Sequence, residues 1–288
     1  MDKVTVNEVG PRDGLQNIEN ILSVDERLRL IRSLEQAGIE LIEIGSFVSD
    51  KAVPAMSNTD ELINKLGNID NYSVLIPNKK GLDKAKDNGV KEICTVLCVT
   101  DSMNQKNINQ TVQETLNDLK EIFKEGLING IRTKCYVSVA YHCPYEGKVD
   151  AAYVNDVIGQ LIDYQVEELV IADTIGAANP KEVTSLLSSL KSQYKDTSFS
   201  CHFHDTRALG LANVYASLIA GISKFDSCIG GLGGCPFAPN SSGNLATEDL
   251  VSMLEMMNIT TGVNLDKLIH SRELASKYTG LPLKGRMI

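Results

Sequence analysis

The sequence predicts a (β/α)8 TIM barrel, an α/β fold in which eight parallel strands alternate with eight helices. Short β-branched runs alternate with longer amphipathic runs along the chain, and eight such pairs can be counted. The length of 288 residues is near that of one such barrel. An open doubly wound sheet is the rival fold, but the loop at 10–16 lacks the Gly-x-Gly-x-x-Gly fingerprint of dinucleotide-binding sheets.

The elements follow in order from local signals. Strand one is predicted at 4–9 and its helix at 23–37, where Ser23 is the N-cap, Glu26 completes a capping box and Gly38 ends the helix. Pro180 suits the first position of the sixth helix. The other strands are predicted at 39–44, 72–76, 92–99, 132–139, 167–172, 197–203 and 222–228, and the other helices at 58–66, 79–88, 111–124, 151–164, 180–194, 208–220 and 245–257. We expect one catalytic domain over 1–288, with the barrel at about 1–258 and an additional C-terminal helical segment at about 259–288.

Composition restricts the partners and the compartment. Hydrophobic residues make up 43% of the chain, as in a protein that buries a core, and 28 basic against 37 acidic residues give a net charge of −9. This balance argues against a nucleic-acid or membrane partner. The chain enters a strand-like run at once, which leaves no room for a signal peptide, and its seven cysteines include no Cys-x-x-Cys pair. We therefore expect a cytoplasmic protein.

Unusual polar residues cluster at the predicted carboxyl ends of the strands, where barrel enzymes carry their chemistry. They come from six of the eight strands: Arg12 and Asp13 after the first, Glu43 at the end of the second, residues 143–147 after the fifth, Asp173 at the end of the sixth, His202 and His204 at the end of the seventh, and Cys235 and Asn244 after the eighth.

The seventh strand suggests a metal site. His202 and His204 share one strand face by the period of two, and two such imidazoles can bind one cation together. Asp13 and Asn244 would complete a mixed nitrogen and oxygen set that suits Mg²⁺, Mn²⁺ or a transition metal. The alternatives are a histidine pair satisfied by hydrogen bonds and an Asn244 that merely caps the last helix.

The remaining candidates each have two interpretations. Arg12 either binds an oxyanion with its guanidinium or forms an ordinary ion pair. Glu43 either takes part in chemistry or pairs with Arg12, and Asp173 is expected to orient a ligand rather than bind the ion. Cys235 lies in a glycine-rich stretch at 230–236 that can move and close, although an incidental thiol in a flexible turn would look the same.

Several motifs together resemble the hydroxymethylglutaryl-CoA lyase family over almost the whole chain. They are GPRDGLQN at 10–17, SFVS at 46–49, CPYEGK at 143–148, DTIG at 173–176, GLGGCP at 231–236 and SGNLATED at 242–249. The Arg-Asp-Gly-x-Gln turn and the His-x-His pair are shared with a wider superfamily of metal-dependent lyases and synthases, whereas the cysteine loop is more specific. Phe237 and His142 depart from the residues usual in the family.

The resemblance implies a TIM barrel that cleaves 3-hydroxy-3-methylglutaryl-CoA to acetyl-CoA and acetoacetate, with a homodimer as the expected assembly. It implies a divalent cation, Mg²⁺ or Mn²⁺, bound by Asp13, His202, His204 and Asn244. Arg12 and Gln16 are then the expected substrate-binding residues, and Arg12, Asp13, Glu43, His202 and Cys235 the catalytic candidates. The alternatives are a lyase for a longer acyl group, a synthase or aldolase of the same superfamily, and a barrel that binds metal or acyl-CoA without catalysis.

In the expected mechanism, Asp13 comes before His202 as the group that removes the hydroxyl proton. Arg12 stabilises the negative charge that grows on the thioester oxygen. Cys235 protonates the departing acetyl carbanion when its loop closes.

Overall fold

The computed structural model describes residues 2–234, 243–283 and 285–287, and its main feature is a closed barrel of parallel strands. The eight barrel strands are β1 (Thr5–Glu8), β2 (Leu41–Ser46), β3 (Tyr72–Leu75), β4 (Glu92–Cys98), β5 (Arg132–Ser138), β8 (Glu168–Asp173), β9 (Ser198–Phe203) and β10 (Lys224–Ser227). The barrel closes where β1 pairs with β10, with Glu8 opposite Ser227. The predicted (β/α)8 fold is confirmed.

The described residues form helices, several of which begin at a side-chain cap. They are α1 (Val24–Gln36), α2 (Thr59–Leu66), α3 (Lys79–Asp87), α4 (Asp101–Ile108), α5 (Val112–Ile128), α6 (Ala151–Asp163), α7 (Pro180–Gln193), α8 (Gly210–Ile219), α9 (Thr247–Met256) and α10 (Leu265–Thr279). Ser23 and Glu26 form the predicted capping box of α1, and Asn179 caps α7 ahead of Pro180. None of the helices in the described ranges is long and apolar enough to cross a membrane.

The barrel interior is layered. Near the amino ends of the strands, the buried Lys134 lies 3.1 Å from Glu92 and 3.9 Å from Glu168. Above this charged layer, Cys94, Tyr136 and Val170 form a small buried cluster that is separate from the main core. The main hydrophobic core lies between the strands and the surrounding helices. The inside of the barrel is partly polar, and the site lies above it at the carboxyl ends of the strands.

Three features differ from the prediction. Strand β2 continues to Ser46, so Glu43 lies inside the strand rather than at its end. Helix α4 was not predicted, because its apolar residues do not repeat with a helical period. Two short strands, β6 (His142–Cys143) and β7 (Gly147–Lys148), pair as an antiparallel hairpin after β5. Helix α10 supplies the expected C-terminal helical segment and packs against α1.

Candidate active site

The turn after β1 presents Arg12 and Asp13 to the same side. Residues Gly10–Gly14 form one wide helical turn, in which the amides of Arg12, Asp13 and Gly14 all donate to the Val9 carbonyl, at 3.1, 2.7 and 3.4 Å. Position 14 has no room for a side chain, because a Cβ there would lie 2.6 Å from Cys228 Sγ. Local packing therefore holds this turn against the loop after β10.

Arg12 is a buried cation held between two carboxylates. Its Nε donates to Glu43 Oε1, and its Nη1 donates to Asp13 Oδ1 at 2.6 Å. The side chain of Glu43 is fully buried, and its second oxygen accepts a 2.6 Å hydrogen bond from the Tyr136 hydroxyl. The interpretation of Glu43 as a partner of Arg12 is thus the one that the contacts support.

Asp13, His202 and His204 converge at the barrel mouth. One potential ligand atom from each of the three lies within 4.8 Å of the other two. Asn244 joins them, because its Nδ2 donates to Asp13 Oδ2 at 2.6 Å and its backbone forms a β-bridge with His204. Gln16 also reaches this group and donates to Asp13 Oδ1 at 3.1 Å.

These side chains fit a divalent cation. His204 Nδ1 and Asn244 Oδ1 are buried and have no hydrogen-bond partner among the described residues. Leaving a buried polar atom unpaired costs about 1–3 kcal/mol, so two such atoms beside a carboxylate indicate a missing partner. A bound cation would satisfy both, and nitrogen and oxygen donors without a thiolate suit Mg²⁺ or Mn²⁺ better than structural zinc.

The surroundings lower the pKa values of Asp13 and His204 and raise that of Arg12. Burial alone would raise the pKa of Asp13, but the positive charge of Arg12, together with the neighbouring histidines, lowers it to about 2. Burial and the neighbouring His202 lower the pKa of His204 to about 4, so its ring is neutral at pH 7 and offers a lone pair. Burial opposes the charge on Arg12, yet Glu43 and Asp13 keep its pKa well above the usual value.

Known proteins resemble this chain over most of its length. The profile described as HMGL-like matches residues 3–275. A hydroxymethylglutaryl-CoA lyase of Bacillus subtilis is 40% identical over 286 residues, which cover 99% of this chain and 96% of the relative.

The chain belongs to the hydroxymethylglutaryl-CoA lyase family. The crystal structure of the Bacillus subtilis lyase superposes with a TM-score of 0.96 at 39% identity, covering 100% of this chain and 97% of that one. A family member from Acinetobacter baumannii, solved with coenzyme A and 3-methylmalate, has a TM-score of 0.94 at 35% identity and covers 99% and 94%. The predicted family, fold and enzyme class are confirmed.

Two residues that sequence reasoning missed support His202 from below. Asp226 accepts from the ring through Oδ2, at 3.2 Å from His202 Nδ1, and its Oδ1 accepts a 2.7 Å hydrogen bond from Asn7 Nδ2. Burial lowers the pKa of His202, but the bond to Asp226 and the charge of that carboxylate raise it overall. The sequence gives only a weak signal for Asn7 and Asp226. They are polar residues at inward-facing positions of β1 and β10.

Asp173 contributes no side-chain contact to the cluster. The carboxylate of Asp173 accepts hydrogen bonds from the amides of Ala177 and Ala178, both at 2.9 Å, so it organises the loop after β8. Its contact with the ligand set runs through the backbone, because the His204 amide donates to the Asp173 carbonyl. Cys235 and Phe237 lie outside the described residues.

The described stem of the cysteine loop is held by buried carboxylates. The Ile229 amide donates to Glu8 Oε1 at 2.8 Å, and the Gly230 amide donates to Glu248 Oε2 at 2.9 Å. Thr247 donates to the second oxygen of Glu8 at 2.6 Å. These contacts join the loop that precedes Cys235 to β1 and α9, and sequence reasoning assigned no role to Glu8.

Proposed function

We propose that the protein is a metal-dependent lyase that cleaves 3-hydroxy-3-methylglutaryl-CoA to acetyl-CoA and acetoacetate. Its family membership supports this reaction, because relatives named for it align over nearly the full length. The relative solved with coenzyme A supports an acyl-CoA substrate. A cytoplasmic location and a homodimer are part of the proposal.

The observation that carries the proposal is the convergence of a buried arginine, a carboxylate, two imidazoles and an amide at one rim. Arg12 and Asp13 come from the turn after β1, the imidazoles from the end of β9 and Asn244 from the segment before α9. Ordinary ion pairs lie mostly on the surface, so they do not explain buried polar side chains that come together from such distant parts of the chain.

Asp13, His202, His204 and Asn244 would hold the cation. A divalent cation supplies Lewis acidity that lowers the pKa of a bound hydroxyl group and orients it. Mg²⁺ and Mn²⁺ are the proposed ions, because both accept such mixed donors. The neutral His204 ring is ready for this role, and the bond to Asp226 leaves Nε2 of His202 as the ligand atom.

Arg12 is the proposed stabiliser of the thioester enolate. Its charge is permanent, its Nε donates to the Glu43 carboxylate, and its Nη1 donates to Asp13. Since both oxygens of Glu43 already accept hydrogen bonds, we assign that residue to orienting Arg12 rather than to proton transfer. Gln16, beside Asp13, is the proposed second substrate contact.

Removal of the hydroxyl proton falls to Asp13 or His202. The pKa of Asp13, lowered to about 2, makes this carboxylate a weak base, whereas the contact with Asp226 raises the proton affinity of His202. Even so, the cation would take Nε2 of His202 while Asp226 holds Nδ1, which leaves no ring nitrogen free for the proton, so Asp13 stays first as the sequence led us to expect. Asp13→Asn and His202→Asn variants assayed at saturating Mn²⁺ separate the two candidates. Cys235 is the proposed donor of the proton to the acetyl carbanion.

The test is a thioester screen with purified protein. Acetoacetate and acetyl-CoA are measured from 3-hydroxy-3-methylglutaryl-CoA with Mg²⁺, Mn²⁺ or EDTA, beside substrates with longer 3-alkyl groups. We expect cleavage that EDTA abolishes and Mn²⁺ restores. Preference for a longer substrate would change the assigned acyl group, and condensation of acetyl-CoA with a keto acid without cleavage would replace the lyase by a synthase.

A further inference from the structure

Tyr136 lies at the centre of the barrel, directly below the site. It belongs to β5, its side chain points inward beside Cys94 and Val170, and the residue is 3% exposed. A tyrosine hydroxyl in such a place needs a hydrogen-bond partner, because a buried unpaired hydroxyl is costly. That partner is Glu43 Oε2, at 2.6 Å.

The Tyr136 hydroxyl completes the shell around Glu43. The other oxygen of this carboxylate binds Arg12 Nε, so the tyrosine and the arginine together satisfy a fully buried charge. Removing the hydroxyl leaves one oxygen of a fully buried carboxylate without its donor. Glu43 then no longer has a single preferred orientation in which to receive the guanidinium.

The ring of Tyr136 makes two more contacts with the site. Arg12 Cζ lies 5.7 Å from the ring centroid, within the range of a cation–π interaction. The ring also meets the His202 imidazole edge to face, with centroids 5.9 Å apart and planes at 89°. One buried side chain therefore touches both the arginine side and the imidazole side of the site.

We propose that Tyr136 is a positioning residue for the lyase reaction: through Glu43 and its own ring, it holds the Arg12 guanidinium in the orientation that stabilises the enolate. Tyr136 does not act on the reacting atoms in this scheme, because its hydroxyl is bound to Glu43. The kinetic part of the inference rests on the proposed function, whereas the effect on Arg12 does not.

The variant that tests this is Tyr136→Phe, which removes only the hydroxyl. Tyr141→Phe is the matched control, because Tyr141 is also buried, 4% exposed, and its hydroxyl has no hydrogen-bond partner among the described residues. We expect Tyr136→Phe to lower kcat about tenfold, with KM and the Mn²⁺ dissociation constant unchanged within about twofold. The control should keep the wild-type kcat.

A double-mutant cycle separates positioning from packing. If Tyr136 acts through Glu43, then Tyr136→Phe has little further effect on kcat in a Glu43→Gln background. Multiplying losses in the double variant would mean that the hydroxyl acts independently of Glu43, and an unchanged kcat in Tyr136→Phe or an equal loss in Tyr141→Phe would overturn the inference.

A spectroscopic readout keeps the inference testable without turnover. The Nε–H of Arg12, bound to Glu43, gives an arginine side-chain resonance in ¹⁵N spectra that Arg12→Lys identifies by its loss. We expect this resonance to shift or broaden in Tyr136→Phe and in Glu43→Gln, but not in Tyr141→Phe. If the wild type cleaves no hydroxymethylglutaryl-CoA and the resonance still responds, the proposed function fails and the positioning role stands; an unmoved resonance refutes that role.

Discussion

Replacing Asp226 by asparagine isolates the support of a metal-binding imidazole. The two carboxylate oxygens of Asp226 serve two different donors: Asn7 Nδ2 at 2.7 Å and the His202 ring at 3.2 Å. An amide of the same shape offers only one acceptor oxygen, so its NH₂ group must face one of these donors. Asp226 is 2% exposed, so bulk water does not reach the donor that loses its acceptor.

The expected cost falls on metal affinity. Loss of a carboxylate that orients a metal-binding histidine typically weakens the metal about 10–100-fold, or roughly 1.4–2.7 kcal/mol. The same change lowers the pKa of His202, which reduces competition from protons and partly offsets the loss at acid pH. The effect is therefore larger at alkaline pH than at acid pH, where protons compete with the metal for the ring.

The assay is calorimetric titration of metal-free protein with Mn²⁺. Asp173→Asn is the matched control: this carboxylate is equally buried at the end of β8, but its oxygens bind the amides of Ala177 and Ala178. We expect the control to bind Mn²⁺ like the wild type. Wild-type affinity in Asp226→Asn would refute the assigned role of Asp226, and an equal loss in Asp173→Asn would show that any buried carboxylate at this rim has the same effect.

Four further predictions concern the site and its surroundings. Arg12→Gln should lower kcat about 10²–10³-fold in the acetoacetate assay, and a parallel loss of Mn²⁺ affinity would show that Arg12 is misassigned. His204→Ala should weaken Mn²⁺ in calorimetry, and an unchanged dissociation constant removes His204 from the ligand set. Cys235→Ala should slow turnover without lowering Tm; full activity would return the thiol to an incidental role. Burial raises the pKa of Glu8 from 4.5 to about 7 against hydrogen bonds from Thr247, Ile229 and Gly10. The unfolded chain releases this proton near pH 4.5 and the folded chain near 7, so the free energy of unfolding falls by about 3 kcal/mol as pH rises through this window. Urea unfolding across that range should show a smaller fall in Glu8→Gln, and identical slopes would contradict the raised pKa.

The fold was predictable because its signals are local. The capping box of Ser23 and Glu26 and the alternation that puts His202 and His204 on one face need only nearby residues. Once eight strands are assigned to a barrel, their carboxyl ends must meet, which brings Asp13 to the imidazoles without further information.

The rest depends on contacts between distant parts of the chain. In the sequence, Tyr136 looks like an ordinary aromatic residue of a β-strand. Only the pairing of the barrel strands brings its hydroxyl to Glu43, which is 93 positions away. Asp226 and Asn7 are likewise joined across 219 positions. The wide turn at Gly10–Gly14 has no sequence signature that separates it from a common loop, and the extent of β2 past Glu43 depends on its pairing with β3.

The wide turn after β1 restricts how this part of the barrel can vary. Three successive amides share one carbonyl there, so the backbone holds one residue more than a regular helical turn. Deleting a residue would rotate every following side chain by about 100° and turn either the guanidinium or the carboxylate away from the opening. Loop-length libraries at this position should yield inactive enzymes, and redesign of substrate choice has to proceed by exchanging side chains on a backbone of constant length.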